Sequence, residues 1–154
     1  MVKSLDDKLD LQTIDHIGVA LWRAAQDWRR RHSEEMAVRG FPWHLGARGD
    51  VLAHLGPSGI SQALLTERMG LSKQAVQQLL DLLETDGVLV RAADPGDKRA
   101  RRIVLTELGL RDYAERTKVK RMIEAEYKDK LGKKLFGKLE KALELLGETP
   151  AQNG

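Results

Sequence analysis

The stretch from Ile60 to Thr106 limits the possible folds more than any other, because its apolar residues change from helical to strand spacing along it. The pattern predicts a short helix, a tight turn at Gly70, a second helix over about 72–86, and two strands joined by a hairpin. Ser72 is suited to cap the second helix. The buried side of that helix is predicted to consist of Val76, Leu79, Leu80 and Leu83.

The opposite side of the second helix is polar. It carries Lys73, Gln74, Gln77 and Gln78, and no carboxylate follows until Asp81. Long hydrogen-bonding side chains without negative charge suit a polyanion. Two helices joined by a turn with glycine, the second with a polar tip, form the arrangement that reads DNA.

The hairpin that follows is basic. Val88–Val90 and Ile103–Leu105 are predicted as its strands, with residues 91–102 between them. This segment contains the cations Arg91, Lys98, Arg99, Arg101 and Arg102 and the anions Asp94 and Asp97. The excess of positive charge favours contact with phosphates.

The run from Leu71 to Gly109 resembles the winged helix-turn-helix of the MarR family of bacterial and archaeal transcription regulators. Asp97 and Arg99 match the Asp-x-Arg pattern of the family's wing, and Leu105-Thr106-Glu107 opens the next helix as it does in the family. A helix-turn-helix pattern alone is a weak signal, whereas the pattern followed by this wing is specific. The resemblance implies a mainly α fold with a small β-hairpin wing over about 91–102 and a reading helix over about 72–86.

The resemblance also implies which residues contact double-stranded DNA. Gln74, Gln77 and Gln78 are expected at base edges in the major groove, where glutamine pairs with adenine, and Ser72 and Lys73 at phosphates. Arg99 is expected in the minor groove, with Asp97 either orienting that arginine or turning the hairpin. Lys98, Arg101 and Arg102 are either backbone contacts or solubilising charges. Many family members carry a small hydroxyl residue and an arginine at the positions of Gln77 and Gln78, so the resemblance does not specify the operator.

Two shorter helices are predicted before the reading helix. The first spans about Gly46 to Leu55 and buries Val51, Leu52 and Leu55. The second spans Ser61 to Met69, and its buried side is predicted to be Leu64, Leu65 and Met69.

Long amphipathic helices flank this region. A helix from about Leu9 to Val38 would span about 45 Å and either folds back on the chain or packs on a second subunit. Its apolar residues are Leu11, Ile14, Ile17, Leu21, Ala24 or Ala25, and Trp28. Thr106 is suited to cap a further helix, and a last helix over about 133–146 presents Leu135, Leu139, Ala142 or Leu143, and Leu146 on one face.

The resemblance implies that both chain ends form a dimer interface. We therefore expect an N-terminal dimerisation helix over 1–40, a DNA-binding domain over 41–106, dimerisation helices over 107–147 and a flexible tail over 148–154. A symmetric dimer with two reading helices predicts an inverted-repeat target.

Many family members bind small aromatic acids between the dimerisation helices and the DNA-binding domain. The candidate residues for such a crevice here are Trp22, Trp28, Trp43, His44 and Tyr113. Packing in the core is the alternative role for each of these aromatic side chains.

Composition excludes several other classes. With 42% hydrophobic and 32% charged residues the chain should fold, and a net charge of +3 makes it only mildly basic. The absence of cysteine excludes disulfides and thiolate metal sites. No membrane segment or signal peptide is evident, so we expect a cytoplasmic protein. No phosphate loop or nucleophile elbow occurs, which predicts no enzyme and no cofactor.

Two alternatives to specific DNA binding stay open. Winged domains also serve as protein-interaction modules, although the outer face of the reading helix would then be apolar or acidic. A metal-responsive regulator is the other alternative, since four histidines are available: His16, His32, His44 and His54. None is spaced from another histidine or a carboxylate as zinc ligands usually are, so the sequence predicts isolated histidines and no metal site.

Overall fold

A computed structural model describes residues 16–147. Six α-helices and three strands follow one another in this range. They are α1 (Ile17–Val38), α2 (Arg48–Ala53), β1 (Ile60–Ser61), α3 (Gln62–Met69), α4 (Lys73–Thr85), β2 (Leu89–Asp94), β3 (Asp97–Leu105), α5 (Glu107–Leu131) and α6 (Lys133–Gly147). A 3-10 helix, Pro42–Leu45, joins α1 to α2. The mainly α fold with a small β-hairpin wing is confirmed.

The helix-turn-helix forms as the sequence predicts. Ser61 caps α3 and Ser72 caps α4 through side-chain oxygens that accept hydrogen bonds from backbone amides three residues on. Gly70 ends α3 with φ of 64°, a left-handed geometry that favours glycine. Val76, Leu80 and Leu83 are fully buried, and Leu79 packs beside them. Leu65 is also buried, but the prediction for Leu64 is wrong, because its side chain points away from the core and is 37% exposed.

One apolar core joins the helix-turn-helix, the wing and the segment before them. Trp43, Val51, Leu52 and Leu55 contribute from the segment before the helix-turn-helix, and Val88, Leu89, Ile103 and Leu105 from the hairpin. α2 is shorter than predicted, because Gly46 is extended and the helix ends at Ala53. The inward positions of Val51, Leu52 and Leu55 are nevertheless confirmed.

The wing is more regular than predicted. The ladder between β2 and β3 continues outward through the pairs Ala92↔Arg102 and Ala93↔Arg101, so most of segment 91–102 is strand rather than loop. Only Pro95 and Gly96 connect the strands, and Asp94 Oδ1 accepts a hydrogen bond from the Gly96 amide at 2.9 Å. β1 was not predicted, since two residues carry no periodicity; it pairs with β3 on the other side, giving the order β1-β3-β2.

The first long helix begins later than predicted. His16 has extended backbone angles, and its Nδ1 accepts a hydrogen bond from the Gly18 amide at 3.1 Å, so α1 starts at Ile17. At 22 residues it is roughly 33 Å long. The predicted positions Leu11 and Ile14, like the predicted tail 148–154, lie outside the described residues.

A second core joins α1 to α5. Met36 of α1 packs against Val119 and Ile123 of α5, and all three are fully buried. Trp28, Phe41, Met122 and Tyr127 surround them. The DNA-binding domain and the long helices thus have separate cores that meet at Phe41, which contacts both.

Two apolar surfaces stay exposed in the single chain. At the start of α1, Ile17 and Trp22 are 74% and 64% exposed. Phe136 is the buried residue of α6, and the exposed leucines of that helix are Leu135, Leu139, Leu143, Leu145 and Leu146.

We predict that Gly109→Ala destabilises the protein by about 3 kcal/mol in the free energy of unfolding. A Cβ atom at this position of α5 would overlap the carbonyl oxygen of Val88, which is itself bound by the Thr106 amide and hydroxyl. Denaturant titration measures the loss. Gly137→Ala is the control, because a Cβ there meets nothing within 4 Å and should stabilise α6 by about 0.5–1 kcal/mol. Equal effects of the two substitutions would contradict the packing described at Gly109.

Candidate nucleic-acid interface

The N-terminal turns of α4 present the polar side chains that the sequence assigned to DNA. Lys73, Gln74 and Gln78 are exposed, and Gln77 is half-buried. The Ser72 oxygen accepts a hydrogen bond from the Ala75 amide at 3.1 Å, so this residue acts first as the helix cap. Its hydroxyl hydrogen remains available for a phosphate oxygen.

A groove of about 420 Å³ separates α4 from the wing. Lys73 and Gln77 line it from the reading helix, Arg99 and Arg101 from β3, and Gln62 from α3. The structure therefore brings four of the predicted DNA-binding residues to one groove. Gln74, Gln78, Asp97 and Lys98 do not line this groove and lie exposed on the same two elements, α4 and the wing.

Within the wing, the predicted residues differ in their surroundings. Lys98, Arg99 and Arg101 are exposed. Arg102 is half-buried, and its Nη2 donates a hydrogen bond to the Ser58 carbonyl at 2.6 Å. Arg102 thus anchors the base of the wing to the turn before β1, a role that the sequence did not predict.

Asp97 contacts the backbone of Arg99. Its Oδ1 accepts a hydrogen bond from the Arg99 amide at 2.9 Å, as aspartate does in a tight turn. Among the described ion pairs none joins the Asp97 carboxylate to the Arg99 guanidinium. The contact favours the turn-forming role of Asp97 over the orienting role, and it leaves the Arg99 side chain extended into solvent.

Arg91 does not add a free cation to the wing. Its guanidinium forms ion pairs with Asp81 and with Glu84 at 2.9 Å, and Nη1 donates to Gln77 Oε1 at 3.3 Å. Hydrogen bonds to Asp81 and then Glu84 raise the pKa of Arg91. The three-residue spacing of Asp81 and Glu84, which puts them on one helix face, was the available signal for this contact.

A second cavity, of about 300 Å³, lies between α1, α2 and α5. Two predicted ligand residues, Trp28 and His44, line it together with His32, Arg116 and Lys120. Burial, and then the charge of Arg116, lower the pKa of Lys120.

The three other predicted ligand residues do not line this cavity. Trp43 is a core residue whose Nε1 donates to Asp112 at 2.9 Å. Trp22 is 64% exposed near the start of α1. The Tyr113 ring lies against the Arg116 guanidinium, with 5.2 Å between the ring centre and Cζ.

A buried carboxylate, Asp112, connects this cavity to the rest of the molecule. It accepts hydrogen bonds from Trp43 Nε1 and from His44 Nε2, which lies at 2.7 Å, and it pairs with Arg116 Nε at 2.8 Å. Arg116 also donates to the carbonyls of Leu52 and Leu55 at the end of α2. Sequence reasoning missed Asp112 and Arg116, although their four-residue spacing on α5 indicated an ion pair.

The prediction of isolated histidines is wrong for His32 and His44. Their ring centres lie 5.5 Å apart and His44 bonds Asp112, contacts that the long separation along the chain concealed. His32 Nε2 is buried without a hydrogen-bond partner among the described residues. Burial, and then the nearby His44, lower the pKa of His32 to about 4. No group of three or more metal-ligating side chains occurs in residues 16–147.

The architecture of α3, α4 and the wing defines a winged helix-turn-helix protein. Residues 46–100 match the model of the MarR family. Wild-type MarR from E. coli in its apo form is 20% identical, with a TM-score of 0.71 over 88% of this chain and 98% of that chain. The repressor CouR, bound to a 23-mer DNA duplex, is 25% identical, with a TM-score of 0.67 over 87% of this chain and 94% of that chain.

A cysteine-to-serine mutant of E. coli MarR, complexed with operator DNA, is 20% identical to this chain. It has a TM-score of 0.70 over 95% of this chain and 100% of that chain. The family model thus matches the segment that holds the helix-turn-helix and most of the wing, and the chain has the fold of these similar structures. A further similar structure, a probable transcriptional regulator from Pseudomonas aeruginosa, is 22% identical, with a TM-score of 0.66 over 86% of this chain and 97% of that chain. Within residues 16–147 no helix has the length and apolar character needed to cross a membrane.

We predict that His32 makes the stability depend on pH between 6.5 and about 4. In this window the unfolded chain binds a proton on His32 and the folded chain does not, so stability falls as the pH falls. The loss should reach up to about 3 kcal/mol, given 1.36 kcal/mol per pKa unit. His32→Gln should remove this part of the dependence, as measured by denaturant titration at pH 7.5, 5.5 and 4.5. Parallel curves for the two proteins would contradict the prediction.

Proposed function

We propose that the protein is a sequence-specific DNA-binding transcriptional regulator, which binds an inverted-repeat operator as a homodimer. The observation that carries the proposal is the groove between the polar N-terminal turns of α4 and the wing. Lys73, Arg99 and Arg101 give it positive charge, and Gln77 gives it a group that can hydrogen-bond to bases. The DNA complexes of CouR and of E. coli MarR support this function.

In this proposal the two elements divide the work. α4 enters the major groove with Gln74, Gln77 and Gln78 at base edges, while Ser72 and Lys73 contact phosphates. Arg99 enters the adjacent minor groove, where narrow A·T-rich segments concentrate negative potential. Lys98 and Arg101 contact the backbone, Asp97 shapes the wing turn, and Arg102 holds the wing at its base.

A second copy of the chain would cover the apolar surfaces at the two chain ends. The start of α1 and the leucines of α6 expose large apolar side chains, which a second copy would remove from water. Dimerisation through residues 1–40 and 107–147 places two DNA-binding domains, residues 41–106, about a symmetry axis. The spacing of the two α4 helices then sets the spacing of the operator half-sites.

The cavity between α1, α2 and α5 is the proposed effector site. The Trp28 ring, stacked at 5.2 Å on His32, offers an aromatic surface, and Lys120 offers a cation for a carboxylate. A small aromatic acid fits this chemistry. Because His44 and Arg116 of the same cavity bind Asp112 and the end of α2, an effector there would act on the DNA-binding domain directly.

The alternatives have less support. A winged helix used only for protein contact should have an apolar or acidic outer face on α4, and this face carries lysine and glutamine. A metal-responsive regulator would need a third ligand beside His32 and His44. We propose that the protein has no catalytic activity and acts in the cytoplasm, where a bacterial or archaeal regulator meets the chromosome.

Arg99→Ala should weaken operator binding about 10-fold and reduce the salt slope of log K by about 1, because one cation leaves the DNA surface. An electrophoretic mobility shift titration at several salt concentrations measures both. Arg121→Ala is the control, since it removes the same charge from an exposed position of α5 outside the groove. If the two variants bound alike, the wing would not be the DNA contact.

Leu139→Glu should convert the dimer into monomers and weaken operator binding by more than 10-fold, because a carboxylate would be buried in the proposed interface. Sedimentation equilibrium measures the mass. Leu45→Glu is the control that should remain dimeric, because this leucine is 62% exposed and lies outside the proposed dimerisation segments. A dimeric Leu139→Glu protein would contradict the interface.

A further inference from the structure

Three side chains of α4 converge on Arg91 at the base of the wing. Nε donates to Glu84 at 2.9 Å, Nη2 donates to Asp81, and Nη1 donates to Gln77 Oε1 at 3.3 Å. A guanidinium is planar and its donors have fixed directions, so two carboxylates on one helix face fix the position of the third donor. The Arg91 side chain is only 19% exposed, which keeps this arrangement partly shielded from water.

Gln77 is therefore held differently from its two neighbours. Its carbonyl oxygen is bound to Arg91, whereas Gln74 and Gln78 are exposed and have no hydrogen bond within the described part of the chain. A glutamine amide carries its acceptor on the oxygen and its two donors on the nitrogen. Arg91 takes one of the two lone pairs of the oxygen and turns this end of the amide towards the wing, so the nitrogen is the end that faces away from Arg91. No described hydrogen bond uses the nitrogen.

We propose that Arg91 is a specificity-determining residue that acts through Gln77, by presenting it to the major groove as a hydrogen-bond donor only. The inference rests on the proposed function. A free glutamine pairs with adenine by donating to N7 and accepting from N6, and this pairing needs both ends of the amide. A donor-only glutamine instead favours guanine, which offers the acceptors O6 and N7, or thymine, which offers O4.

The charge of Arg91 strengthens the same effect. A cation bound to the carbonyl oxygen polarises the amide, and a polarised amide is a better donor through its nitrogen. Arginine is charged throughout the physiological pH range, so this cation is always present beside Gln77. The chain thus departs from the family pattern at Gln77, and Arg91 of the wing determines which end of the Gln77 amide can hydrogen-bond to a base.

The test is a selection of bound sequences from random DNA, carried out with the wild-type protein and with Arg91→Met, Lys98→Met and Gln77→Ala. At one position of each half-site the wild type should prefer guanine or thymine. Arg91→Met should shift that preference towards adenine by at least about 5-fold, the lower end of base discrimination by a bidentate pair. Lys98→Met removes the same charge from the wing without contact to Gln77, so it should lower affinity and leave base preference unchanged.

Gln77→Ala should abolish the preference at the same position, and adding Arg91→Met to it should cause no further shift. The inference would be overturned if Arg91→Met left the base preference unchanged, or if it shifted the preference equally in the Gln77→Ala background. Either result would leave the proposed function intact. Absence of any selected sequence for the wild type would overturn the proposed function and the inference with it.

A measurement without DNA tests the anchoring itself. In the ¹⁵N spectrum of the free protein, the side-chain amide of Gln77 should be more ordered than those of Gln74 and Gln78, and Arg91→Met should remove the difference. Equal mobility of the three amides in the wild type would overturn the inference, whatever the protein binds.

Discussion

The position of the DNA-binding domain depends on one buried carboxylate. Asp112 is fully buried on α5 and binds Trp43 and His44 of the 3-10 helix as well as Arg116 of its own helix. Removing one partner of a buried, hydrogen-bonded charge typically costs about 3–5 kcal/mol, because the other charge is left unpaired. Arg116 extends the network to the carbonyls at the end of α2. Polar contacts with fixed directions thereby join the two apolar cores, which pack separately and meet at Phe41.

The wing depends on a different set of contacts. Arg102 binds the turn before β1, Arg91 binds the outer side of α4, and Asp97 fixes the turn backbone at Arg99. Two of the five cations of segment 91–102 therefore hold the wing, one against α4 and one against the turn before β1, and Lys98, Arg99 and Arg101 are exposed. A wing held at its base keeps Arg99 at a constant distance from α4, which lowers the entropy lost when both elements bind DNA together.

Local patterns predicted the helix-turn-helix and the wing, because caps, turn glycines and apolar spacing act over a few residues. Ser72, Gly70 and the stripe from Val76 to Leu83 lie where these patterns placed them. The predicted start of α1 was wrong, because the apolar spacing continues before residue 16 whereas the His16 side chain caps the helix there. The polar contacts of Asp112 and Arg91 were missed because their partners are distant along the chain and polar residues alone predict no pairing. Only Trp28 and His44 of the five predicted ligand residues line the cavity. The spacing of aromatic residues along a helix does not distinguish a core position from a surface position or a ligand-binding position.

The contacts of Arg116 limit how the molecule can change shape. Because this arginine holds the end of α2 from the middle of α5, the DNA-binding domain and the first half of α5 should turn as a single rigid body. α5 is roughly 37 Å long at 1.5 Å per residue, so a small rotation at one end displaces the other end by a larger distance. A rotation of about 5° at its far end moves the near end by about 3 Å. In the proposed dimer, a small shift at the interface would thus produce a larger displacement of the DNA-binding domain along the double helix, without any deformation of the wing or of α4.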